Sequence, residues 1–84
     1  MREYLVIITF TESGIKNEVK FIKTVDSFDE LKQAFLKRFG NINNAPNKAL
    51  KEKPLVKRLT HEANSIDEWV SNINKTDRWN LVVQ

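Results

Sequence analysis

Bulky, β-branched and aromatic side chains occupy both parities of Tyr4 to Phe10, the pattern of a strand inside a sheet with burial on either side. This segment is the expected central strand. Thr11-Glu12-Ser13-Gly14 follows, and its glycine supplies the positive φ of a four-residue hairpin connection, so Ile15 to Val25 is expected to return antiparallel. There Ile15, Val19, Phe21 and Val25 share one parity and Lys16, Glu18, Lys20 and Thr24 the other, marking one buried and one wet face. Ile22 breaks that rule. An apolar residue on the polar parity is either covered by another element or exposed for a partner.

Ser27-Phe28-Asp29-Glu30 has capping-box form and predicts a helix start. Phe28, Leu31, Phe35, Leu36 and Phe39 then recur at three- and four-residue spacing, while Lys32, Gln33, Lys37 and Arg38 are expected to face water and Gly40 to stop the helix. Residues 41–54 hold four asparagines, two prolines and several lysines, with only Ile42, Ala45, Ala49 and Leu50 as apolar anchors. They read as a long loop with at most one helical turn, and long loops in small domains are often functional. Leu55 to His61 fits an edge strand or a short helical extension, since neither face is apolar. Ser65-Ile66-Asp67-Glu68 repeats the capping pattern, Ile66, Trp69, Val70 and Ile73 form a second helical stripe, and Trp79, Leu81 and Val83 alternate in a final strand.

The order read from these patterns is β-β-α-(β)-α-β. It implies an α+β fold, a small mixed and mainly antiparallel sheet with two helices packed on one face. At 84 residues the chain is expected to form one domain whose core draws on nearly every large apolar residue. It contains no cysteine and no apolar run long enough for a secretory signal or membrane span, so a cytoplasmic protein without membrane contact is expected.

Composition narrows the chemistry. The formal charge of +3 disfavours an acidic nucleic-acid mimic and falls well short of a polycation. A catalytic triad would have to run through the single histidine, His61, which sits beside Glu62 and reads as a surface residue. Asp29 with Glu30 and Asp67 with Glu68 resemble an acid–base pair, but both pairs stand in first helical turns, where the helix dipole accounts for acids. With one histidine, two glycines and no cysteine, neither a metal site nor a phosphate-cradling loop is expected; the reading is of a non-enzyme without cofactors.

Two binding readings remain. Lys48, Lys51, Lys53, Lys57 and Arg58 oppose only Glu52, which would suit a phosphate backbone or an acidic protein, or would simply solvate a loop. Single-strand binding would also need stacking aromatics, and only Tyr4 is spare from the core stripes. Protein binding asks less: Ile22 beside Lys20, Val82, and the 41–54 segment are candidate contacts, and unpaired strand edges allow a homodimer by sheet extension.

Tyr4-Leu5-Val6, Thr9-Phe10 and the Glu12-Ser13-Gly14 turn resemble the opening of short phage-encoded accessory proteins of unknown function from AT-rich Gram-positive hosts. The resemblance covers this hairpin alone. It implies a mobile-element origin and a host-cytoplasmic protein that binds and inhibits or redirects a host protein, as anti-CRISPR and other anti-defence proteins do. The leading expectation is therefore a noncatalytic protein-binding module, with nucleic-acid binding through residues 48–58 as the alternative.

Overall fold

The structure is a computed structural model that describes residues 1–41 and 47–84. Its elements are β1 (Arg2–Glu12), β2 (Ile15–Val25), α1 (Phe28–Gly40), α2 (Asn47–Glu62), α3 (Ile66–Asn74) and β3 (Trp79–Val83). The strands form one sheet in the order β2-β1-β3, with both pairings antiparallel. The fold is α+β with β1 central, as the patterning indicates. The sheet has no parallel pair among the described residues, and the helices number three instead of two.

The hairpin is tighter than expected. Pairing continues to Glu12 opposite Ile15, so only Ser13 and Gly14 turn the chain, with φ of 51° and 80°. Two successive positive φ values characterise the two-residue turns whose twist matches that of paired strands. Gly14 adopts this conformation freely; Ser13 does so at some cost in strain.

Register decides the faces. Val6, Ile8 and Phe10 on β1 lie beside Phe21 and Val19 on β2 and beside Leu81 and Trp79 on β3, and this side faces the helices. The core is completed by Leu31, Phe35 and Phe39 of α1, Val56 of α2, and Trp69 and Ile73 of α3. Burying each such side chain contributes roughly 1.5–3 kcal/mol, which is how so short a chain offsets its conformational entropy. The rings interlock, with Phe35 edge-on to Trp69 at 5.0 Å and Phe39 edge-on to Trp79 at 5.5 Å between centroids. The opposite face of β1 meets no helix among the described residues, and the expectation of burial on both sides of Tyr4 to Phe10 holds only in part: Thr9 is buried there, while Leu5 and Ile7 are half-buried.

Both serine caps form. Ser27 Oγ accepts the Glu30 N–H at 3.2 Å and Ser65 Oγ accepts the Glu68 N–H at 3.1 Å. The Glu30 carboxylate reaches back to the Asp26 N–H at 3.5 Å, one residue earlier than a standard capping box. Of the residues expected to face water, Lys32 does not. Its ammonium donates to the His61 carbonyl at 3.5 Å and to the Ala63 carbonyl and lies 4.6 Å from the Phe28 ring centroid, a cation at the C-terminal end of α2. Arg38 is exposed as expected, with its guanidinium over the Phe21 ring at 4.9 Å.

The largest departure is α2. Residues 47–54, read as part of a loop over 41–54, are helical, and Leu55 to His61 continues the same helix. Residues 42–46, including Ile42 and Ala45, lie outside the described residues. The buried positions of α2 are Ala49, Val56, Thr60 and, just past its end, Ala63, spaced as one helical face but built from small and polar side chains. Thr60 is satisfied in place: its Oγ1 donates to the Val56 carbonyl at 2.9 Å and accepts the Trp69 indole N–H at 2.8 Å. Pro54 stands inside the helix, where it has no N–H for the Leu50 carbonyl.

Candidate functional site

The uncovered face of the sheet follows directly from the register. Leu5 lies opposite Ile22, and Ile7 lies between Lys20 on β2 and Val82 on β3. Leu5 and Ile7 are two residues apart on one strand and therefore share a face. Ile22, Leu5, Ile7 and Val82 thus form a continuous apolar block across all three strands. Ile22 is 59% exposed, after Met1 the most exposed large apolar side chain among the described residues. The rim is polar: Glu18, Lys20 and Thr24 on β2 are exposed, as is Asn80 on β3. An apolar centre with a charged rim is the layout of a protein contact surface.

The two sheet edges differ. Leu5 exchanges backbone hydrogen bonds with Gln84 at 2.8 and 2.9 Å, and the Thr11 N–H bonds the Arg78 carbonyl at 3.1 Å, so odd-numbered residues of β1 address β3. By the alternation of an antiparallel ladder, Trp79, Leu81 and Val83 turn their backbone groups outward. The Asn74 side chain meets the middle one. Its Oδ1 accepts the Leu81 N–H at 2.7 Å and its Nδ2 donates to the Leu81 carbonyl at 3.4 Å, as a neighbouring strand would. On the other side, even-numbered residues of β1 address odd-numbered residues of β2. The backbone groups of Lys16, Glu18, Lys20, Ile22 and Thr24 therefore point away from the sheet, and no described residue is bonded to them.

The basic segment disperses around α2. At about 100° per residue, Lys48 and Lys57, nine positions apart, stand on opposite sides of the helix. Lys48 pairs with Glu12 at 3.3 Å, Lys53 donates to the Gly40 carbonyl at 3.2 Å, and Arg58 pairs with Glu62 at 3.3 Å one turn on. Lys57 is half-buried and Lys51 exposed. Glu52 turns inward, where its carboxylate accepts Arg78 and, at 3.2 Å, the Trp79 indole N–H. The five cations therefore divide: Lys48, Lys51 and Arg58 fall within about 80° of one another on one side of the helix, and Lys53 and Lys57 lie on the other. Lys20 and Ile22 share a face, side by side on β2.

The remaining candidates stay apart. The His61 side chain is exposed, and the pairs Asp29–Glu30 and Asp67–Glu68 occupy the first turns of separate helices. Among the described residues no three His, Cys, Asp or Glu side chains gather where they could hold a metal ion, and no helix is long and apolar enough to cross a membrane. Asn74, Glu52 and Lys32 were not singled out by sequence patterning. The only available hint was an asparagine closing α3, and an asparagine at a helix end reads as an ordinary turn former.

No protein-family model, curated protein or solved structure matches this chain.

Proposed function

We propose that the chain is a noncatalytic protein-binding module that engages its partner through the uncovered face of the sheet. The observation that carries this reading is the apolar block Ile22, Leu5, Ile7 and Val82, which spans three strands on the face of the sheet opposite the helix-packed core. A row of this kind on a small sheet stays wet unless a partner covers it, and burying it releases roughly 25 cal/mol for each Å² of apolar surface. The rim residues Lys20 and Glu18 would then set orientation and select against wrong partners. The hairpin's resemblance to phage-encoded accessory proteins supplies the kind of partner, a host protein that the module inhibits or redirects. We rank nucleic-acid binding through residues 48–58 second, because the five cations divide between two sides of α2 and Lys48 and Arg58 are paired with Glu12 and Glu62.

The test uses the tagged full chain and the double variant Ile7→Ser with Val82→Ser, in Gram-positive bacterial lysate. A stoichiometric protein retained by the parent and lost by the variant, with both showing the same circular dichroism, is the expected result. Equal capture by both, or no captured protein, would refute the assignment.

A further inference from the structure

We propose that two copies of the chain form a two-fold dimer in which their β2 strands pair antiparallel across Ile22, joining two three-stranded sheets into one of six strands. This proposal is independent of the protein-binding reading, because it needs no partner other than the chain itself.

Three observations on one flank of the molecule converge on it. The outward backbone groups of β2, from Lys16 to Thr24, form a ladder with no described partner. Ile22 projects from the C-terminal half of that stretch and is 59% exposed. Beside it, on the helix side, an open groove of about 420 Å³ runs between β2 and α1, floored by Val25 and Ala34 and rimmed by Lys23, Lys37, Asp29 and Glu30. None of its lining residues comes from β1, β3, α2 or α3, so it opens beyond β2. An occupant must therefore supply a strand edge and fit a groove holding two cations and two anions. A second copy does both, since a two-fold axis sets the cations of one copy against the anions of the other.

Charge disfavours one register, and the groove beside α1 selects among the rest. Pairing centred on Lys20 would place two ammonium groups directly opposite, which is unfavourable. Centring on Ile22 instead sets Ile22 against Ile22 and Lys20 against Thr24 of the second copy. Lysines on an edge strand discourage indiscriminate pairing, and here they leave this alignment open.

The helices agree with the same axis. Ile22 lies three residues before the end of β2, about 10 Å back along the strand. The midpoint between Glu30 and Lys37 lies about 8 Å along α1, which runs back over β2 with Arg38 above Phe21. An axis through Ile22 thus passes near Ala34, whose small side chain permits close approach, and puts Glu30 of each copy opposite Lys37 of the other. On the outer face the rows Leu5–Ile22 of both copies become one.

The cysteine-free chain allows a direct test. In a hydrogen-bonded antiparallel pair the Cα atoms lie about 5.5 Å apart, within the roughly 4.4–6.8 Å range that a disulfide spans. Ile22→Cys is expected to cross-link under mild oxidation at least about tenfold faster than Thr24→Cys, whose two copies would stand about 13 Å apart. Sedimentation of the parent chain should give twice the mass of the 9.8 kDa monomer. Ile22→Lys should raise the dissociation constant roughly a hundredfold with unchanged circular dichroism. A parent chain that stays monomeric at about 1 mM, far above the working range of specific dimers, would overturn the proposal, as would cross-linking no faster at position 22 than at 24.

Discussion

The side-chain amide of Asn74 pairs with both backbone groups of Leu81, seven residues on, and so stands where a fourth strand would lie beside β3. A five-residue edge strand is short of partners, and this one side chain supplies a donor and an acceptor at its centre. Asn74→Ala is expected to cost about 1–2 kcal/mol in urea unfolding, since two hydrogen bonds of about 0.5–1.5 kcal/mol are lost. Asn74→Asp should cost less than Asn74→Ala, because the acceptor for the Leu81 N–H remains. Equal costs for the two would show that the pairing with Leu81 is not what stabilises this edge.

Thr60 links α2 to α3 through the Trp69 indole. Thr60→Val preserves shape but leaves a buried N–H without an acceptor, which should cost about 1–3 kcal/mol. Thr60→Ser keeps the hydroxyl and is expected to lose less than half as much. Denaturant midpoints of the two variants, read at constant m-value, decide the matter.

Pro54 lies within α2 and deprives the Leu50 carbonyl of its helical donor. Pro54→Ala should stabilise the protein by about 1 kcal/mol: the helical penalty of proline is near 3 kcal/mol, and part of the gain is offset by the greater freedom of the unfolded chain. For a chain of this size that corresponds to a rise in melting temperature of about 4–8 °C. An unchanged or lower melting temperature would mean that the helix is bent at Pro54 to the benefit of its packing on α1 and α3.

Ser13 holds a φ of 51° in the two-residue turn. Asparagine tolerates this region better than serine, so Ser13→Asn is expected to stabilise by roughly 0.5 kcal/mol. Gly14→Ala should destabilise by about 1 kcal/mol, because φ of 80° is costly once a Cβ is present even though open space surrounds the site. Thermal melts of the two variants should move in opposite directions.

Much of this fold could be read from local pattern. The Ser27 and Ser65 caps, the aromatic stripe of α1, the Trp69 and Ile73 stripe of α3 and the alternation in β2 each reflect chemistry confined to a few neighbouring residues, and all appear where the sequence places them. Helix α2 escaped the same reading because Val56 is the one large apolar residue of its buried face, which is otherwise made of Ala49, Thr60 and Ala63, with the half-buried carboxylate of Glu52 turned inward. Those side chains look polar or small in sequence and become core only through partners far along the chain: Trp69 for Thr60, Arg78 and Trp79 for Glu52. Proline and lysine content then pointed to a loop.

The sequence by itself determined the strands, two of the helix starts and the odd position of Ile22, since these depend on periodicity and capping. Tertiary structure alone decided which face of the sheet stays bare. It separated Lys48 from Lys57 by winding them around a helix, brought Asn74 to the edge of β3, and aligned Ile22 with Leu5, Ile7 and Val82. Cross-strand register and helix docking join residues separated by long stretches of chain, and no local pattern carries that information.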